Sequence, residues 1–115
     1  MRYSIIYALT RPLAQEIVSV GIVFFKDGDF EYIYSEKKLR IAESLISSCC
    51  APYLSSIVKD FQKNVLEDRS DESIARELGY LSRYSNNIIL VTEPRTISMD
   101  FCRESFDTLY SQYVE

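Results

Sequence analysis

The chain has 115 residues and no histidine, with only three glycines, three prolines and three cysteines. Each shortage removes a class of reading. Without histidine the commonest general base and the commonest metal ligand are both missing. Ser-His-Asp and Cys-His catalysis are therefore excluded within this chain, and a zinc site is not expected. Cys49 and Cys50 are adjacent, where a bridge would be strained, and Cys102 makes the count odd. No disulfide framework and no CxxC spacing follow. The few glycines form no phosphate-cradling loop, so no cofactor and no metal are expected.

Long apolar runs are also absent. None approaches the roughly 20 residues needed to span a bilayer, and no membrane association is expected. The opening residues Met1-Arg2-Tyr3-Ser4-Ile5 read directly as strand, without the organisation of a signal peptide, so a cytoplasmic location is expected. Thirteen basic residues stand against seventeen acidic ones, a net charge of −4, and the two signs interleave. That balance disfavours nucleic acid, which calls for a clustered basic face.

What is present is the composition of a globular protein: 47% hydrophobic, with nine tyrosines and six phenylalanines. The length fits a single domain, 1–115. Tyr3, Ile5, Tyr7 and Leu9 alternate with Ser4, Ile6 and Ala8, a first strand. Pro12 is expected to end it. Glu16–Lys26 is a second strand, apolar on both faces near its end, and it reads as central. Asp27-Gly28 then predicts a two-residue type I′ turn into a third strand, Asp29–Tyr34. Gly21 within the second strand marks a bulge or a close approach.

From Ser35 the period changes from two to between three and four. Leu39, Ala42, Leu45, Ile46 and Cys49 form one helical stripe, with Ser35 as N-cap. Pro52 starts a second helix with Leu54, Ile57, Val58, Phe61 and Val65 inward. Ser70 caps a third, with Asp71 and Glu72 in its first turn and Ile74, Leu78 and Leu81 inward. Gly79 in that helix suggests a close helix–sheet contact. Asn86-Asn87 is a turn signal, and Ile88–Val91 a short buried strand. Thr92–Thr96 reads as a loop, and a last helix capped by Ser98 or Asp100 presents Cys102, Phe106, Leu109 and Tyr113. The order β-β-β-α-α-α-β-α predicts an α+β fold: a mainly antiparallel sheet of about four strands with helices on one face. Phe24, Leu54, Phe61, Leu90 and Phe106 are expected to share its core.

Four polar residues are the candidate site. Glu16 opens the second strand, Ser19 follows it, and Glu93-Pro94-Arg95 leaves the fourth. If the second and fourth strands are neighbours, Glu16, Glu93 and Arg95 converge. They would then make an Arg–carboxylate fork that fixes the loop, or a recognition cluster. The same cluster is the only means here for a small hydrolase or nuclease-like enzyme, the alternative reading. Tyrosine combines an apolar body with a polar tip and is enriched at interfaces. The excess of tyrosine and the missing catalytic parts favour a non-catalytic protein-interaction module, partnered by another protein or by itself.

Two segments resemble a known family. Tyr3-Ser4-Ile5-Ile6, followed by Gln15-Glu16-Ile17-Val18-Ser19-Val20-Gly21-Ile22-Val23-Phe24, is similar to the opening of the DUF3037 family, a YS start and then an E-x-x-N-V-G-V strand. Asn87-Ile88-Ile89-Leu90-Val91-Thr92-Glu93-Pro94-Arg95 and the final helix resemble that family's closing strand and S-E-P-R loop. The segments bracket most of the chain in the same order. Ser19 stands where the family has asparagine, Thr92 where it often has serine, and Pro12 is displaced. The resemblance implies a small bacterial protein of a family without an assigned function, and a HipA-like kinase as partner. It implies no reaction.

Overall fold

The computed structural model describes residues 1–11, 16–46, 50–67, 69–83 and 88–114. Pro12, Cys49, Tyr84, Asn86 and Asn87 lie outside the described residues. Three strands open the chain: β1 (Arg2–Arg11), β2 (Glu16–Lys26) and β3 (Asp29–Tyr34). Helices α1 (Glu36–Leu45) and α2 (Ala51–Lys59) follow, then a π-helical turn (Gln62–Leu66) and α3 (Asp71–Arg83). Strands β4 (Ile89–Val91) and β5 (Arg95–Thr96) precede α4 (Arg103–Tyr113). The sheet is antiparallel in the order β3-β2-β1-β4, with β5 also on β1. The fold is α+β, as the grouped periods imply.

The β2–β3 connection has the geometry that Asp-Gly dictates. Asp27 has φ 52° and Gly28 φ 86°, both in the left-handed region that a type I′ turn requires. A carboxylate from elsewhere holds this turn. Asp71, the first residue of α3, accepts from the backbone N–H of Asp27 (2.7 Å) and of Gly28 (2.8 Å).

Gly21 sits at a bulge. Ile6 pairs with Gly21 but Tyr7 pairs with Ser19, so Val20 is an extra residue on β2. A Cβ on Gly21 would meet the Ile33 carbonyl at 3.2 Å and Tyr34 Cβ at 3.3 Å, so β3 packs against bare backbone there. The bulge also reverses which residues of β2 face which way. Val18 and Val20 share a face with Val23 and Phe25, while Ile22 and Phe24 face the other way.

Those two faces carry two cores. On the first, Ile6, Ala8, Val20, Val23 and Phe25 pack under α1, α2, the π turn and α3 through Leu39, Leu54, Val58, Phe61, Ile74 and Leu78. On the second, Tyr3, Ile5, Ile22 and Phe24 pack under α4 through Phe106, Leu109 and Val114. The expectation of helices on one face is thus corrected. The last helix crosses to the opposite side, because β1 and β2 are apolar on both. Phe24 and Phe106 are stacked at 4.7 Å in the second core, whereas Leu54 and Phe61 lie in the first. Leu90 is half-buried and in neither, since β4 alternates and only Ile89 and Val91 face the first core.

Local capping follows the sequence in most places. Ser35 Oγ accepts from the Lys38 N–H at 3.1 Å, and Ser70 Oγ from the Ser73 N–H at 3.3 Å. Pro52 sits in the first turn of α2. The second helix does not stay α-helical to Leu66. It passes into the π turn, where the Glu67 N–H reaches the Gln62 carbonyl. The wider turn sets Val65 and Leu66 side by side in buried positions. Tyr32 donates its hydroxyl to the Val58 carbonyl at 2.7 Å, tying β3 to α2. Burial raises the Tyr32 phenol above its usual value, with Tyr34 adding to the shift.

Four local expectations are overturned. Gly79 meets nothing within 4 Å of a built Cβ, so it marks no close helix–sheet contact. Leu45 is exposed, because α1 turns its Leu39–Ala42 side to the sheet. Cys102 is exposed and is itself the N-cap of α4, in place of Ser98 or Asp100. Arg95-Thr96, read as loop, is the short strand β5, opposite Tyr3 and Arg2.

Candidate interaction surface

The candidate polar cluster does not assemble. Glu16 is opposite Arg11 at one end of β1, and Arg95 is opposite Tyr3 at the other. Eight residues of strand separate those positions, about 26 Å at the usual rise. The premise failed because the fourth strand pairs with β1, and β1 is long enough to hold Glu16 and Arg95 apart. Glu93 is exposed and lies on the Arg95 side, just after Thr92, which is fixed to Ile5. Thr92 Oγ1 accepts from the Ile5 N–H at 2.8 Å, and the Thr92 N–H donates to the Ile5 carbonyl at 3.0 Å. Among the described residues, no three of histidine, cysteine, aspartate and glutamate lie close enough to hold a metal.

Ser19 has a structural position. Its hydroxyl donates to the Val114 carbonyl beyond the end of α4 at 3.5 Å and accepts from Lys38 Nζ of α1 at 3.4 Å. It links the helix layers of the two faces around the edge of β2. Arg95 instead acts on Tyr113. The Tyr113 hydroxyl is 3.4 Å from that of Tyr3, and this contact pushes the Tyr113 phenol up, while the Arg95 charge opposes the shift.

A different surface emerges from the pleat. Residues Tyr3, Ile5, Tyr7 and Leu9 of β1 all point to the second face. Helix α4 runs above β2 and ends at Val114, beside Ser19. Beyond its reach the same face continues. Leu9 pairs directly with Ile17, and Tyr7 pairs directly with Leu90. Tyr7, Leu9, Ile17 and Leu90 therefore form one contiguous apolar shelf across three strands. Ile17 is 44% exposed, and Tyr7, Leu9 and Leu90 are half-buried. Leu9, Ile17 and Leu90 belong to neither core. Glu16, also exposed, stands at the shelf's rim.

Sequence reasoning missed this shelf, although it read every strand that forms it. The signal was alternation on β1 and β2 extending past what one short helix can cover. Two hollows also open on the first face. One of about 190 Å³ lies between α2, the π turn, α3 and β4, with Ile57, Phe61, Leu81 and Ile89 in its wall. A shallow one of about 630 Å³ lies between α1 and α2, where Arg40 and Glu43 meet Ile46 and Pro52. Among the described residues, no helix is long and apolar enough to cross a membrane.

Comparison of the chain with family models, with curated proteins and with solved structures finds no match.

Proposed function

We propose that this chain is a protein-interaction module, without catalysis of its own, that binds another protein through the shelf of Tyr7, Leu9, Ile17 and Leu90. The observation that carries this reading is the pairing of Leu9 with Ile17 and Tyr7 with Leu90, which extends the apolar face from Tyr7, at the edge of the α4 core, to three side chains that belong to neither core. Leu9, Ile17 and Leu90, adjacent apolar side chains outside both cores, are the kind of surface that association buries. A tyrosine at its centre supplies a rigid anchor with a polar tip. Ser19 and Glu16 give the shelf a polar rim on the β2 side, as interfaces usually have. The resemblance to DUF3037 points to a HipA-like kinase as the partner, in the cytoplasm of a bacterium.

The test is capture of the partner kinase by the purified chain, beside Leu9→Lys. Wild type is expected to hold the kinase stoichiometrically and show no hydrolase or nuclease turnover with or without divalent metal. The Leu9→Lys variant, folded by circular dichroism, is expected to lose the kinase. Capture unchanged in Leu9→Lys would remove the shelf. Turnover abolished by Glu16→Gln or Glu93→Gln would overturn the non-catalytic reading.

A further inference from the structure

We propose that the outer edge of β3 pairs with the β3 edge of a second copy, joining two sheets into one about a twofold axis. This goes beyond the shelf and uses a different surface.

The hairpin decides which groups are available. In a two-residue hairpin the flanking residues, Lys26 and Asp29, form a hydrogen-bonded pair. Asp29, Glu31 and Ile33 therefore turn their backbone groups toward β2. The Ser35 N–H donates to the Val20 carbonyl at 2.8 Å, which continues the same parity. Phe30, Tyr32 and Tyr34 consequently point their N–H and C=O groups away from the sheet. Among the described residues β3 has β2 as its one strand neighbour, and none of these outward groups has a partner.

Proteins blunt such edges with proline, lysine, a bulge or a short strand. β3 has no proline, lysine or bulge, and Glu31 is its one charge between the end residues. Its sequence is Asp-Phe-Glu-Tyr-Ile-Tyr, and its register with β2 runs unbroken from Lys26–Asp29 to Gly21–Tyr34. The other side of the sheet ends in β4, only three residues long.

Register and charge select a second copy as the occupant. Across a twofold axis through the sheet, a residue of one face must meet a residue of the same face, so even-numbered positions meet even. With the axis at Tyr32, Tyr32 meets Tyr32 of the other copy and Phe30 meets Tyr34. These are the residues with outward groups, so every outward N–H and C=O is used in hydrogen-bonded pairs. Glu31 then faces Ile33, and the two Glu31 carboxylates stay diagonal. Moving the axis to Glu31 would set those carboxylates directly opposite, which is unfavourable. One register thus satisfies both the hydrogen bonds and the charges.

The experiment is sedimentation equilibrium on the full chain from micromolar to near-millimolar concentration, with Ile33→Lys, Ile33→Glu and Tyr34→Pro. The two Ile33 variants lose the same packing and differ in the charge placed opposite Glu31. The wild type is expected to dimerise. Ile33→Lys is expected to dimerise about tenfold more tightly than Ile33→Glu, since two symmetric pairs change sign. Tyr34→Pro removes an outward N–H while leaving that of Ser35, and is expected to stay monomeric. Amide exchange on the wild type needs no substitution: the Phe30, Tyr32 and Tyr34 amides should slow as concentration rises. A wild type that stays monomeric overturns the proposal, even if β3 binds a foreign peptide strand. So does a dimer with equal affinity in both Ile33 variants, or exchange at these amides that ignores concentration.

Discussion

The two faces of the sheet are built from the same strands and finished differently. The first is roofed by α1, α2, the π turn and α3, and its hydrophobic cluster takes in Ile89 and Val91 of β4. Among the described residues the second has one helix, α4, over Ile22 and Phe24, and its apolar surface runs on past that helix to Leu9, Ile17 and Leu90. β2 serves both because its side chains alternate, and the bulge at Val20–Gly21 changes which of them, even- or odd-numbered, meet the first face. The lesson is that apolar alternation reports what a strand could bury, while the number of helices on each side decides what it does bury. What β1 and β2 leave over appears at Ile17 on the side with fewer helices, while the exposed Ile41, Leu45, Tyr53 and Tyr80 stand on the helices of the first side.

The comparison breaks first in the cores. Phe61 is 2% exposed, under the roof of the first face, with its ring 5.3 Å from Tyr32. Phe61→Ala is expected to cost about 3–5 kcal/mol, because the enclosing helices cannot collapse fully into the cavity. Phe106→Ala in the second core should fall near the lower end, about 3 kcal/mol, since a single helix can shift toward the sheet to fill the space. Urea unfolding of both variants measures the difference. A larger loss in Phe106→Ala would mean that the second core, not the first, holds the fold.

A smaller effect is expected at the clip that ties the first-face layer to the hairpin. Gly28 has no atom within 4 Å of a built Cβ, so Gly28→Val tests backbone strain alone, about 1–2 kcal/mol at its positive φ. Asp71→Ala removes two charge-assisted hydrogen bonds from the same turn and should cost a similar amount, about 1–2 kcal/mol at this exposed position. The double variant should cost less than the sum, because each change already loosens the turn the other acts on. Strict additivity in thermal unfolding would show that Asp71 acts only within α3.

Much of this fold was legible from local chemistry. The bounds of β2 and β3, the Asp27-Gly28 turn, the bulge at Gly21 and the Ser35 and Ser70 caps each depend on a few neighbouring residues. What failed depended on distant ones. Whether β4 lies beside β1 or β2 decides whether Glu16 and Arg95 meet, and no local pattern fixes that. β5 is two residues long, too short for any periodicity, and exists because β1 extends to Arg2. The side taken by α4 was hidden because Phe106 and Leu109 describe an apolar stripe without saying which apolar face receives it. Local pattern places Asp71 as a favourable charge at a helix start, which it is; its hold on the hairpin turn needs that turn brought alongside.

The finest test sets two isoleucines of β2 against each other. Ile17 and Ile22 point to the same face, because the bulge between them compensates for their odd separation. Ile22 is fully buried beneath α4, and Ile17 is 44% exposed on the shelf. Ile22→Glu would bury a carboxylate without a partner and should leave no cooperative unfolding transition. Ile17→Glu should change stability by no more than about 0.5 kcal/mol, since its side chain already meets water and only modest β-propensity is lost. Its effect should appear instead in binding, because an added carboxylate on the shelf must be desolvated by whatever docks there. A stability loss of several kcal/mol in Ile17→Glu would place Ile17 under cover within the fold, and the shelf would then be core rather than surface.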